Sequence, residues 1–409
     1  MASATKSILF IGLGRRGYGF GQFGYGPYGG STDIPPPPVT NVSINQSSML
    51  KTKSIPTPLV TVPSAGSFTG HQVGKVILGM STDQGWTTAM NQIGSTYNGN
   101  VAEERIFSQN GATAALKLDN YVSRMNQAIS RQCIPWVSCK PDDFGASLSG
   151  IGGCAEIASG SRDTEIRNFF RAIRSSVNTN SKQPVVFTFF HEPLGDAKDN
   201  PSAATDWLNS MNKILDIVES DTQLGANAAA RRAGVLFAPV FEEFTFRSGT
   251  PTKYNHSIFH NTALMNRFDF YGFDMYQFDN TAANNEPGAR IDVVRNYVHG
   301  IRPGMMFGIG EHAGRNEYKL NQIAKLEDPN DGTGVPSSRQ SAAQWYRLMS
   351  DYIFSHANYF WIASYYNSIG ESDERLIQPM ITSYAPIDTE SSISIFREKL
   401  LSTNIGKIP

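Results

Sequence analysis

The chain has 409 residues, 40% of them hydrophobic, enough to bury the core of one large domain or two ordinary ones. Lys and Arg number 35 against 36 Asp and Glu, a formal net charge of −1, which argues against a polyanion such as nucleic acid as partner. The longest apolar run near the N-terminus, residues 8–11, is shorter than a signal-peptide core and far shorter than a bilayer span, so neither an export signal nor a membrane span is expected.

Residues 7–30, SILFIGLGRRGYGFGQFGYGPYGG, match the pattern G-x-G-x-x-G at Gly12, Gly14 and Gly17. A dinucleotide fingerprint works only where the glycine turn opens a helix whose free N–H groups hold the pyrophosphate. Here Gly19, Gly21, Gly24, Gly26, Gly29 and Gly30 follow, with Pro27 among them, and all oppose a helix. Asp33, the acidic residue at the required distance, stands just before Pro35 to Pro38. No nucleotide cofactor is expected. What remains is glycine interleaved with Tyr18, Phe20, Phe23, Tyr25 and Tyr28, suited to laying aromatic rings on a partner's surface. We read residues 1–30 as a docking arm, with a low-complexity tail as the alternative reading.

Residues 31–72 carry Pro35 to Pro38, Pro56, Pro58 and Pro63 without a sustained period, the composition of an extended linker. From residue 73 a rhythm begins. Apolar runs of strand length fall at 76–80, 105–107, 134–138, 185–190, 235–240, 268–273, 305–309 and 359–363. Between them lie stretches of helical period, such as Ile166, Phe169, Phe170, Ile173 and Val177, or Trp207, Leu208, Met211, Ile214, Leu215 and Val218. Others span 116–129, 258–265, 291–298, 345–353 and 393–401. Eight strands alternating with helices predict an α/β fold, a (β/α)8 TIM barrel over 73–409, with a doubly wound open sheet as the competitor. Cys133 and Cys139 flank the third run; along a strand they stand about 20 Å apart and cannot pair.

Two strand ends carry the chemistry. The fourth run, PVVFTFFHEPLGD, ends on His191 and Glu192, and the seventh, MMFGIGEHAG, on Glu311 and His312. Two carboxyls at one barrel mouth are what glycosidic-bond cleavage requires: one protonated to donate to the leaving oxygen, the other ionised to attack or to activate water. His191 and Glu192 are adjacent and would face opposite ways in a regular strand. Both reach one pocket only if the strand ends or bulges there, which Pro193 favours.

This order of strands, over about residues 73–402, resembles the clan of (β/α)8 glycoside hydrolases with an acid/base glutamate after strand four and a nucleophile after strand seven. FFHEPLGD is similar in particular to glycoside hydrolase family 26, the β-mannanase family, where a histidine precedes the strand-four glutamate. The resemblance implies Glu192 as acid/base, Glu311 as nucleophile and His191 as a residue holding substrate or nucleophile. FDFYGFDMYQF resembles the family's strand six and implies Tyr276 near the nucleophile and Asp274 at the strand end. Phe190 stands where a mannanase usually has tryptophan, a departure that bears on sugar specificity. For the strand-eight sugar platform the candidates are Trp361, early in YFWIASYYN, and Tyr365 or Tyr366; Trp86 is a further stacking candidate.

The scheme implied is retaining and uses no metal or organic cofactor. Glu242 and Glu243 in PVFEEFTF read as structural or rim residues, His256 and His260 as surface or capping residues, and Asp196, Asp199 and Asn200 as lining the cleft. Residues 1–70 resemble in composition the attachment segments of phage tail proteins. That likeness implies a virion location, other tail proteins as partners of the arm, and host cell-surface polysaccharide as the barrel's partner. A non-catalytic glycan-binding tail module and a free endo-β-glycanase are the alternatives. A homo-oligomer, if formed, would be set by the arm or by surfaces the sequence does not reveal.

Overall fold

The computed structural model describes residues 74–180, 183–246, 254–277, 286–314, 342–368 and 391–407. The docking arm of 1–30 and the linker of 31–72 lie outside the described residues. The strands are β1 Val76–Thr82, β2 Glu103–Ile106, β3 Ile134–Cys139, β4 Val185–Phe189, β5 Val235–Phe237, β6 Val240–Glu242, β7 Tyr271–Tyr276, β8 Phe307–Ala313, β9 Phe360–Asn367 and β10 Ile405–Gly406. Every pairing is parallel, in the order β5-β4-β3-β2-β1-β9-β8-β7-β6, and β10 adds to β1.

Pro239 explains the division between β5 and β6, because it has no N–H to give the ladder. β5 pairs with β4 and β6 with β7, so the two halves are one barrel strand that carries the sheet round. Across the break the Ala238 N–H donates to Phe187 O at 3.1 Å and the Gly272 N–H to Pro239 O at 2.9 Å. The result is the expected (β/α)8 barrel.

Helices α1 Trp86–Ile93, α2 Ala114–Ser130, α3 Asp163–Asn180, α4 Pro193–Ala197, α5 Pro201–Ser220, α6 Pro287–Ile301, α7 Ala342–Ser355 and α8 Ser392–Leu400 surround it. Periodicity misleads over 258–265, where a 3₁₀ turn at His256–Phe259 is followed by a single turn at Thr262–Met265. Asn261 interrupts the segment: its side chain accepts from the N–H groups of Ala263 and Leu264 and starts a new turn.

Outward strand residues and the inner helix faces form one large apolar layer, and inward residues form a second core inside the barrel. In that inner core Trp136, Phe270 and Trp361 meet edge to face, with centroids 5.4 and 5.1 Å apart. The Trp136 indole N–H donates to the Thr188 hydroxyl, which donates on to Ala238 O, both at 2.9 Å. Above this apolar floor the inward positions turn polar, and β7, β8 and β9 run past the predicted ends into the residues of the site.

Candidate active site

β4 ends at Phe189, and the chain leaves it through two left-handed residues, Phe190 at φ 48° and Glu192 at φ 55°, on either side of His191. Such a conformation costs a non-glycine residue on the order of 1–3 kcal/mol and persists only where the surroundings enforce it. Here the Phe190 N–H donates to Cys139 O at 2.7 Å and the Glu192 N–H to Val240 O at 2.9 Å. Pro193 then opens α4, and Glu242 Oε1 accepts from the Gly195 N–H at 2.6 Å. The strand does end where the sequence requires it to, and the irregular turn removes the alternation that would separate His191 from Glu192.

Glu311 enters from β8 by a register slip. Ile309 pairs with Phe273, but Glu311, not Gly310, pairs with Asp274. Gly310 is the extra residue, and only glycine fits: a Cβ there would lie 2.5 Å from Asp274 Oδ1 and 3.0 Å from Val240 Cγ1. The slip brings Glu311 to the inner face, 7% exposed, while His312 turns to the helix layer against Tyr346 and Tyr365. Glu311 Oε2 accepts a short hydrogen bond from the Tyr276 hydroxyl, and His191 Nε2 stands 4.0 Å from Oε1.

Charge in this cavity is unbalanced. Arg105 on β2 is buried over Trp136 at 4.6 Å and Phe107 at 5.1 Å, and it is the cation that acts on Glu311 and Asp274. Burial pushes the Glu311 carboxyl up, against the opposing pull of Arg105 and the Tyr276 hydrogen bond. Burial first, then the charges of Glu311 and Glu192, hold Asp274 well above the usual carboxylate range. Burial, reinforced by Arg105 and Lys140, pushes His191 down to about 3, so the imidazole is neutral at physiological pH. Burial raises Glu242 to about 7 although backbone N–H groups of Gly195 and Leu194 favour its charge.

Of the expected site residues, His191, Glu192, Asp274, Tyr276 and Glu311 converge through these contacts and fields. Tyr366 joins them: half-buried, it meets Tyr276 edge-on at 5.9 Å and Phe107 at 6.5 Å. Three others lie elsewhere. Trp361 is 2% exposed in the barrel floor, because β9 slips against β8 between Phe360 and Ile362 and turns the extra residue, Trp361, inward. Tyr365 alternates away from Tyr366 and packs on Tyr346 and Phe396 in the helix layer. Trp86 begins α1 with the Arg131 guanidinium, beyond the end of α2, 5.4 Å over its ring, an outer-layer contact.

Glu243 forms a buried ion pair with Arg290, whose Nη2 also donates to Tyr276 O at 2.8 Å and fixes the end of β7. His256 and His260 are half-buried rather than surface residues; His260 Nε2 lies 2.9 Å from the Tyr271 hydroxyl. Asn200 caps α5 through the N–H groups of Ser202 and Ala203. Among the described residues no group of His, Cys, Asp and Glu is arranged to hold a metal ion. Sequence reasoning missed Arg105 and Phe107. The signal was the parity of Glu103, Arg105 and Phe107 in EERIF, which places all three on the inner face.

No protein-family model and no curated protein matches the chain. Among solved structures, an engineered protein superposes with a TM-score of 0.50 at 14% identity, over 82% of this chain and 71% of that one. A fungal β-1,4-galactanase gives 0.49 at 13% identity, over 79% and 99% of the two chains. The catalytic domain of a family 26 endo-β-1,4-mannanase from Bacillus sp. JAMB-750 gives 0.48 at 13% identity, over 85% and 96%. At these identities the likeness concerns the fold alone.

Proposed function

We propose that the barrel hydrolyses a β-glycan by a retaining two-glutamate mechanism. The observation that carries this reading is Glu311, buried at the end of the seventh barrel strand with the Tyr276 hydroxyl on Oε2, sharing one mouth with Glu192 on the turn after the fourth. Glu192, half-buried, donates a proton to the leaving glycosidic oxygen. Glu311, its charge held by Tyr276 and Arg105, attacks the anomeric carbon, forming the glycosyl-enzyme as the leaving-group bond breaks. Glu192 then takes a proton from the incoming water, whose oxygen displaces Glu311. Neutral His191 borders Oε1 of Glu311 without adding a second cation, and the Tyr366 ring supplies an apolar wall for a sugar face.

The test is hydrolysis of soluble β-1,4-mannan, β-1,4-galactan and carboxymethylcellulose, with the first-formed anomer followed by NMR. A β-configured first product, lost in both Glu192→Gln and Glu311→Gln, is expected. Full turnover in both variants, or an α-configured first product, overturns the assignment.

We further propose that the chain is a phage tail component, docked on other tail proteins through residues 1–70 and presenting the barrel to host-surface polysaccharide. Its support is the glycine and tyrosine arm followed by the proline-rich linker. Deleting residues 1–70 is expected to abolish incorporation into particles and to leave a folded barrel; normal incorporation overturns it.

A further inference from the structure

Asp274 and Glu311 are register partners on adjacent parallel strands, and both side chains face the barrel interior. Like charges so placed repel, the more strongly because both are buried. The two carboxyls are not equivalent. Glu311 receives the Tyr276 hydroxyl and has His191 beside it. Asp274 is 3% exposed, and among the described residues neither of its oxygens has a hydrogen-bond partner. Its Oδ1 lies against Gly310, 2.5 Å from where a Cβ of that residue would stand. A buried carboxylate without a donor is far less favourable than one with a phenol on it.

The groups facing Asp274 come from every strand around it. Glu311 stands on β8, Glu192 on the turn after β4, Glu242 on β6 and Arg105 on β2, with Tyr276 on its own strand. Three carboxyls thus face it for one cation, and Arg105 makes no hydrogen bond to it among the described residues.

We propose that Asp274 is a positioning residue for Glu311: it stays a neutral carboxylic acid over the pH range in which Glu311 is ionised, so that the single negative charge the inner mouth tolerates resides on the attacking group. The role assigned to Glu311 rests on the hydrolase reading above; the protonation state of Asp274 does not. Burial and its carboxylate neighbours push Asp274 in the direction this requires.

A group whose folded pKa is raised lends stability that is complete below its unfolded value, about 3.9, and is lost as pH rises towards the folded value. Asn cannot ionise and lacks this loss. The melting temperature of Asp274→Asn, measured on the full chain from pH 4 to pH 8, is therefore expected to gain on that of the parent as pH rises, by several degrees in total. A difference that stays constant, or moves the other way, overturns the proposal. The carboxyl ¹³C resonance of Asp274 in the unsubstituted protein is the second measurement, independent of whether the variant folds. A resonance still that of the acid at pH 7 supports the proposal, and titration near pH 4 overturns it. In the kinetic arm, the acid limb of the pH–rate profile, set by Glu311, is expected to keep its position in Asp274→Asn whatever happens to kcat, because one neutral group replaces another beside it; a limb displaced to lower pH would show that Asp274 carries charge and overturns the proposal. A chain inactive on every glycan leaves the first two readouts intact, so failure of the hydrolase reading and failure of this inference are distinguishable.

Discussion

The Tyr276 hydroxyl donates to Oε2 of Glu311 from the neighbouring strand, so one residue supplies both a wall of the mouth and the donor that holds the carboxylate's charge. Burial keeps the phenol well above its usual range, and it therefore remains a donor throughout the working pH. Tyr276→Phe removes that hydrogen bond. A bond to a charged group contributes about 1.5–3 kcal/mol, so kcat is expected to fall about 10- to 150-fold with KM little changed. Because the bond favours the ionised form, its loss raises the Glu311 pKa, and the acid limb of the pH–rate profile moves to higher pH. An unmoved limb in Tyr276→Phe would remove the phenol from this role.

Glu242 holds the turn that carries Glu192, through the Gly195 N–H at 2.6 Å. Glu242→Ala leaves that donor without its acceptor, at a cost of about 1–3 kcal/mol, and loosens the turn on which the proposed acid sits. Glu242→Gln keeps an acceptor oxygen and is expected to stay within about 1 kcal/mol of the parent. With Glu242 at about 7, its contribution is complete below about pH 4.3 and falls away as pH rises through 7. The stability advantage of Glu242→Gln over Glu242→Ala, followed by urea titration, checks the anchor; equal losses contradict it.

The barrel was legible in the sequence because apolar runs and helical periods are repeated signals, and the two glutamates because each follows an apolar run, the fourth and the seventh. What was not legible depends on register. Trp361 reads as a strand-eight platform until the slip between β8 and β9 turns it into the barrel floor. Tyr365 and Tyr366 are equivalent in composition, and only the alternation of β9 assigns one to the mouth and the other to the helix layer. Arg105 heads the short second run, whose two faces the sequence does not distinguish, and closure of the sheet is what makes its face interior.

Gly310 is where that register is set. Gly310→Ala would place a methyl 2.5 Å from Asp274 Oδ1 and 3.0 Å from Val240. Overpacking of this kind costs about 1–3 kcal/mol, and a displacement of Glu311 on the order of 1 Å lowers turnover about 100-fold. Combining Gly310→Ala with Asp274→Ala relieves the closer clash, so the stability losses of the pair are expected to be less than additive in thermal or urea unfolding. Strict additivity would show that the slip does not depend on the contact.

Three histidines are held neutral by their surroundings: the half-buried His191 and His260 at about 3 and the buried His312 at about 4. The unfolded chain protonates each near pH 6.5, whereas the folded chain does not, so between about pH 6.5 and 4 unfolding takes up protons and stability falls with acid. The buried carboxyls act in the opposite sense, since Asp274, Glu242 and Glu311 bind protons more tightly folded than unfolded. His312 faces the helix layer, away from the mouth, and separates the two effects. His312→Gln is expected to flatten the acid side of a melting-temperature profile between about pH 6.5 and 4 and to leave the pH–rate profile where it was. An acid limb in the rate that moves with His312→Gln would place that imidazole in the proton chemistry of the mouth.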